Sequence, residues 1–97
     1  MAAWFQKTFG ERYFIEIQNN GIDIQRFQME GAVEVAKKMG LPLVATSDAH
    51  YVDREDAEAQ DIMLCINTGK FRTDTNRMKM DGSEFYLRPP AEMYRHF

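Results

Sequence analysis

The stretch from Asp23 to Ala45 restricts the possible folds most, because it marks a helix, the end of that helix and a strand in direct succession. Asp23 is predicted to cap the helix at its N-terminus, and Gly40 stands where a left-handed C-terminal residue is favoured. Pro42 prevents the helix from continuing. The apolar run 43–45 shows no alternation, which is typical of a strand buried on both faces. A helix joined to such a strand by a short connection predicts a parallel sheet covered by helices.

The rest of the chain continues this alternation of helices and strands. Hydrophobic spacing, turn residues and capping residues define six further segments. In chain order they are a helix over 2–9, a strand over 12–18, a helix that starts at Asp53 and ends at 68–70, an irregular loop over 71–83, a short strand over 84–88, and a last helix from Pro90 to Phe97. With 97 residues in total, we expect one α/β domain.

Composition excludes several classes of protein. The net charge of −3 at pH 7 argues against a free-standing nucleic-acid-binding domain, which normally carries a basic face. The longest apolar run, 62–66, is far shorter than the roughly 20 residues that cross a bilayer, so no membrane insertion is expected. Cys65 is the only cysteine and cannot form an internal disulfide, which fits a reducing cytoplasm.

Asp48 and His50 form the one motif with a clear chemical use. They follow directly after the predicted strand 43–45, and ligands of α/β proteins lie beyond the carboxyl ends of strands. A carboxylate and an imidazole suit Zn²⁺, Mn²⁺ or Fe²⁺, but zinc sites need at least three protein ligands. The alternative is an Asp-x-His turn whose side chains only hydrogen-bond their own loop.

Three other features of the sequence are candidate sites. Glu16 lies on the non-apolar face of the strand 12–18, where it is either a site residue with a partner or an edge-strand residue in water. Cys65 lies beside the apolar stripe of its helix and is expected to be a small buried side chain. The loop 70–79 carries four basic residues diluted by acidic ones, and is expected to be solvated, with nucleic-acid backbone contact as the alternative.

Several motifs in one order carry a family resemblance. They are Phe9-Gly10-Glu11-Arg12-Tyr13-Phe14-Ile15-Glu16-Ile17-Gln18, Gly40-Leu41-Pro42-Leu43-Val44-Ala45-Thr46-Ser47-Asp48-Ala49-His50-Tyr51, Asp56-Ala57-Glu58-Ala59, Leu64-Cys65-Ile66-Asn67-Thr68-Gly69-Lys70, Phe85-Tyr86-Leu87 and Glu92-Met93. From about residue 3 to 97 the chain resembles the PHP (polymerase and histidinol phosphatase) domains of bacterial DNA polymerase III alpha subunits.

This resemblance implies a fold and a set of site residues. The fold is a fragment of a distorted (β/α)7-type PHP barrel with short, mostly parallel strands, and residues 1–97 are the C-terminal portion of that domain. Asp48 and His50 match the family's last metal-binding motif, in which both bind a divalent ion, Zn²⁺ or Mn²⁺. The other ligands belong to motifs that precede Met1, so the metal site is expected to be incomplete here. Glu16 is expected to lie beside the ligands without binding the ion.

The resemblance also implies functions for the parent protein. These are DNA synthesis, with Mg²⁺ bound elsewhere, a scaffolding role for the PHP region, and metal-dependent 3′–5′ phosphodiester hydrolysis for proofreading. DNA and other polymerase III subunits, namely the proofreading exonuclease and the clamp, are the implied partners. The fragment itself is expected to be inactive, to leave the apolar strand 43–45 partly uncovered, and to self-associate through unpaired strand edges. A stand-alone PHP phosphoesterase and a purely structural docking module are the alternatives.

Overall fold

A computed structural model describes residues 1–97 and contains four helices and two strands. In chain order they are α1 (Ala2–Phe9), β1 (Ile15–Gln18), α2 (Asp23–Met39), β2 (Leu43–Thr46), α3 (Ala57–Thr68) and α4 (Pro90–His96), with 3₁₀ turns at Gly10–Arg12 and Arg54–Asp56. None of the helices is long and apolar enough to cross a membrane.

The two strands form a parallel sheet with α2 as the crossover between them. The register runs from Ile15 opposite Leu43 to Gln18 opposite Thr46. The end of α2 is set by Gly40, which adopts the left-handed conformation with φ 64° and ψ 34°. The backbone N–H of Leu41 then donates to the Ala36 carbonyl at 2.9 Å, which closes the helix before the strand starts. The predicted mixed α/β class with parallel strands is confirmed.

Three local predictions were wrong. The strand expected over 12–18 starts only at Ile15, because a 3₁₀ turn occupies Gly10–Arg12. Asp23 is the first residue of α2 rather than its cap, and Ile22 takes the capping position without a side-chain hydrogen bond. The segment 84–88 is not a regular strand and makes one isolated parallel bridge, between Tyr51 and Tyr86.

The turn before α3, the loop after it and the start of α4 follow the sequence pattern, although α3 itself begins at Ala57, after the 3₁₀ turn Arg54–Asp56. Asp53 and Asp56 form a capping box, in which the backbone N–H of Asp53 donates to Asp56 Oδ2 at 3.1 Å. The 71–83 segment is irregular and α4 starts at Pro90, both as predicted.

Few side chains are buried, although the sequence is rich in apolar residues. Only 8 of the 97 residues are buried. The run 43–45 has the apolar pattern of a strand buried on both faces but is partly uncovered, as expected of the fragment, with Leu43 42% exposed and Val44 40%. The radius of gyration is 16.8 Å, compared with about 13 Å for a compact chain of this length. The chain therefore leaves large apolar faces open, on α2, α3 and β2.

Candidate functional site

The carboxyl ends of β1 and β2 meet at one edge of the sheet, and Asn20 ties together the segments that follow them. Asn20 is 1% exposed. Its Nδ2 donates to the main-chain oxygens of Ser47 at 2.7 Å and Glu84 at 2.9 Å. Its Oδ1 accepts from Gln25 Nε2 at 2.9 Å. One buried amide thus fixes the loop after β2, the segment before Phe85 and the start of α2 relative to one another.

Asp48 and His50 lie in the turn that leaves β2. Asp48 has a φ of 47°, and it is the one non-glycine residue of the chain with a positive φ. This left-handed conformation is sterically costly for most side chains but is tolerated by Asp and Asn. The turn brings His50 Nδ1 to within 3.9 Å of Asp48 Oδ1. Both side chains remain accessible, with 39% of the His50 and 43% of the Asp48 side chain exposed.

One ring nitrogen of His50 is already occupied. Nδ1 lies 2.7 Å from the main-chain oxygen of Asp48, and a carbonyl oxygen can only accept. The neutral ring therefore carries its hydrogen on Nδ1, which leaves Nε2 with a free lone pair. Histidines that bind metals commonly donate their second N–H to a carbonyl in this way. The turn thus carries an imidazole with one free nitrogen and an accessible carboxylate two residues apart.

The backbone of this turn is held against the segment 84–88. The N–H of His50 donates to the Phe85 carbonyl at 2.7 Å, and the His50 ring meets the Phe85 ring edge-on at 5.6 Å. The N–H of Leu87 donates to the Tyr51 carbonyl at 3.1 Å. Because Phe85 is 4% exposed, the position of His50 is fixed by contact with the core rather than by solvent-facing loop residues.

A charged network in turn supports the segment 84–88. Arg54 donates to Glu84 at 3.0 Å and to the Tyr86 hydroxyl at 3.1 Å. The Tyr86 hydroxyl donates to Glu92, and this hydrogen bond lowers the pKa of the Glu92 carboxyl. Arg88, whose side chain is 1% exposed, lies 3.6 Å from Glu84. These contacts join the 3₁₀ turn before α3, the 84–88 segment and α4.

Glu16 is placed on the sheet rather than in the turn. Its Oε1 accepts a hydrogen bond from Thr46 Oγ1 at 2.6 Å and one from Gln18 Nε2 at 3.4 Å. Gln18 Nε2 also donates to Thr46 Oγ1 at 3.1 Å. Glu16 is exposed and makes no hydrogen bond to Asp48 or His50. It lines a cleft of about 250 Å³ with Gln18 and side chains of α2.

Asp48 and His50 are the two candidate metal ligands of this chain, and no third lies beside them. Its His, Cys, Asp and Glu side chains form no group of three or more that could hold an ion. The structure brings Asp48 and His50 together as the sequence suggests, and Cys65 is buried at 5% exposure in α3 as expected of a packing residue. A site built on Asp48 and His50 needs at least one further ligand from outside these residues.

Asn20 was missed from the sequence as a positioning residue. Asn19-Asn20-Gly21 is typical of a turn, and that local role accounts for the residue types without any distant partner. Buried Arg77 was also missed. It lies in a loop without sequence periodicity, and its partner Asp61 lies in α3. Neither arrangement leaves a signal in local spacing.

Comparison with known proteins gives relatives over the whole chain. No family model matches it. It is 46% identical over 94 residues to DNA polymerase III subunit alpha of Borreliella burgdorferi, covering 97% of the chain. It is 44% identical over 97 residues to the same subunit of Treponema pallidum and 36% identical over 97 residues to that of Helicobacter pylori. The chain spans 8% of the length of each of these relatives. Over nearly its whole length, the chain is similar to one short segment of DNA polymerase III subunit alpha.

Proposed function

We propose that these 97 residues form the C-terminal part of a PHP domain within a replicative DNA polymerase alpha subunit, in the cytoplasm. The identity of 36–46% along the whole chain to subunits of that name supports this assignment. The parent protein then carries DNA polymerase activity, with Mg²⁺ bound outside this segment. Its partners are DNA and other polymerase III subunits, including the proofreading exonuclease and the clamp.

Within that domain, Asp48 and His50 supply two ligands to a divalent ion, Zn²⁺ or Mn²⁺. The observation that carries this proposal is the hydrogen bond of His50 Nδ1 to its own loop, which leaves Nε2 free on an accessible side chain in the same turn as the accessible Asp48 carboxylate. A divalent ion bound there activates water and neutralises phosphate charge, the chemistry needed for 3′–5′ phosphodiester hydrolysis. The chain contributes the carboxylate, the oriented imidazole and a turn held by Phe85. With only two ligands, the isolated chain is inactive.

Metal binding is tested by calorimetric titration of the full natural polypeptide with Zn²⁺ or Mn²⁺. The variants are Asp48→Asn, which tolerates the left-handed backbone of residue 48, and His50→Gln. Matched controls are Asp81→Asn and His96→Gln, both at exposed positions. We expect one metal equivalent to be lost in the first pair and kept in the second. Equal binding in all four variants contradicts the metal assignment.

Hydrolysis is tested separately on a 3′-labelled oligonucleotide with the same four variants. We expect the first pair to lose metal-dependent release of the 3′ nucleotide and the control pair to keep it. If the Asp48 and His50 variants lose the metal but the unmodified protein shows no hydrolysis, the ion is structural. That outcome contradicts only the hydrolytic role.

A scaffolding role is the second function that a specific observation favours. Large apolar side chains lie exposed on three elements: Ile24 and Phe27 of α2 at 76% and 81%, Ile66 of α3 at 69%, and Val44 of β2. Exposed apolar surface on this scale is typical of a face that packs against more protein. Sedimentation velocity of the chain measures its self-association, and Phe27→Lys and Val44→Lys each change one of these faces. Self-association that persists in both variants contradicts docking through these faces.

A further inference from the structure

A cleft of about 340 Å³ lies beside α3, away from Asp48 and His50. It is bounded by α3, by Tyr51 and by the loop that follows α3. Three of its lining side chains are the cations of Arg72, Arg77 and Lys79, and one is the carboxylate of Asp61. We call it the α3 cleft. An excess of positive charge in a concave site attracts anions.

Arg77 is buried in the wall of the α3 cleft with one donor unused. Its side chain is 4% exposed, and its terminal nitrogens donate to the two oxygens of Asp61 at 2.6 and 2.9 Å. Its Nε is buried and has no hydrogen-bond partner. Because this Nε is buried and both terminal nitrogens are paired with Asp61, Arg77 forms part of the wall of the α3 cleft and is not itself a donor to a ligand.

The other two cations are not neutralised by Asp61. Arg72 donates to Glu58 at 2.9 Å and lies 3.6 Å from Asp61, and its side chain is 51% exposed. Lys79 is exposed and forms no ion pair. Since Arg77 already pairs with Asp61, Lys79 and part of the Arg72 guanidinium remain available to a ligand.

Tyr51 adds a neutral donor to the same wall. Its hydroxyl oxygen accepts the backbone N–H of Phe85 at 3.3 Å, while its own hydrogen has no acceptor. The α3 cleft therefore combines an uncharged O–H donor with two cationic side chains that reach solvent, beside the ion pair of Arg77 and Asp61.

We propose that the α3 cleft binds a phosphate group. Lys79 and the free part of the Arg72 guanidinium supply the charge, and the Tyr51 hydroxyl supplies a neutral donor. Donors on two cations and one hydroxyl suit the three terminal oxygens of a phosphate monoester. The site does not depend on a metal at Asp48 and His50, and it takes its phosphate either from a small phosphate monoester or from the terminal phosphate of a nucleic acid.

The test uses an aldehyde probe that carries a phosphate group. The full natural polypeptide is treated with pyridoxal 5′-phosphate, reduced with borohydride, and mapped by mass spectrometry for modified lysines. Pyridoxal, which lacks the phosphate, is the control probe. Lys70 is the control residue, because it is exposed in the same loop but does not line the α3 cleft.

We expect Lys79 to be labelled in preference to Lys70 by the phosphorylated probe but not by pyridoxal. Arg72→Gln should lower labelling of Lys79 roughly tenfold, the factor expected for one lost charge-assisted hydrogen bond. Arg26→Gln, which changes an exposed cation of α2, should leave it unchanged. Arg72 is half exposed, so its replacement is compatible with folding.

Competition distinguishes the two sources of phosphate. Protection of Lys79 by inorganic phosphate supports a site for a small phosphate monoester, and protection only by a 5′-phosphorylated thymidine oligonucleotide supports a site for the end of a nucleic acid. Equal labelling of Lys79 and Lys70, or no protection by either competitor, overturns the proposal.

Discussion

The side-chain amide of Asn20 donates to the main-chain oxygen of Ser47 at 2.7 Å, which joins the residues that follow the two parallel strands. The same nitrogen donates to the Glu84 carbonyl at 2.9 Å. The loop that carries Asp48 and His50 is therefore held from the direction of β1 by one buried side chain, in addition to its backbone contact with Phe85.

Asn20→Ala should destabilise the fold more than an ordinary surface change. It leaves the carbonyls of Ser47 and Glu84 without their donor, at a cost of about 1–3 kcal/mol for each group that stays buried and unpaired. Asn20→Asp should cost more, because a carboxylate then faces two carbonyl oxygens. Urea unfolding gives the free energies, with Asn76→Ala in the exposed loop as the control. If Asn20→Ala and Asn76→Ala have equal free energies of unfolding, the positioning role of Asn20 is contradicted.

Two glycines of the α2 region should respond to alanine in opposite directions. Gly31 lies inside α2, and a Cβ there meets no atom within 4 Å. Gly31→Ala should stabilise the chain by about 1 kcal/mol, because alanine has the higher helix propensity. Gly40 has a φ of 64°, so Gly40→Ala should cost about 1–2 kcal/mol. Thermal unfolding of both variants checks the signs. A higher melting temperature for Gly40→Ala would contradict the C-terminal role of Gly40, and a lower one for Gly31→Ala would contradict the helix-propensity argument.

Sequence reasoning succeeded where the determinants are local. The end of α2 at Gly40, the capping box of Asp53 and Asp56, and Pro90 at the start of α4 each depend on residues within a few positions of one another. The parallel sheet was predicted from one local feature, the short connection between α2 and β2.

Reasoning failed where a partner lies far along the chain. The acceptors of Asn20 are 27 and 64 residues away, and the Arg77–Asp61 pair crosses from an irregular loop to α3. The apolar pattern of β2 correctly predicted a strand, but periodicity reports only which faces prefer burial. It does not report that Leu43 and Val44 stay partly exposed here.

The left-handed backbone at residue 48 should decide which substitutions of Asp48 keep the fold stable, whether or not a metal binds. With a φ of 47°, Asp48→Asn should leave the free energy of unfolding nearly unchanged, since Asn also adopts the left-handed region. Asp48→Val should destabilise the chain by about 1–3 kcal/mol, because a β-branched side chain is strained there. Chemical unfolding in the presence of a chelator measures the difference without a metal contribution. Equal stability of the two variants would show that the turn relaxes to a negative φ.

The ion pair of Asp61 and Arg77 should make part of the stability dependent on acid. Hydrogen bonding from Arg77 lowers the pKa of Asp61 below its ordinary value. A carboxyl whose pKa is lower in the folded state stabilises the fold above its unfolded pKa, and this contribution is lost as pH falls through the folded pKa. The melting temperature of the unmodified chain should therefore drop on acidification.

Asp61→Asn should melt at a lower temperature than the unmodified chain near neutral pH, because Arg77 is then a buried cation without its carboxylate. The gap between the two melting temperatures should stay constant down to the ordinary aspartate pKa of about 4 and narrow below it, as Asp61 becomes protonated in the unmodified chain. Asp81→Asn, at an exposed position without an ion pair, is the control and should show no such gap. A gap for Asp61→Asn that stays constant below this pKa as well would mean that packing of residue 61, rather than its charge, stabilises the wall of the α3 cleft.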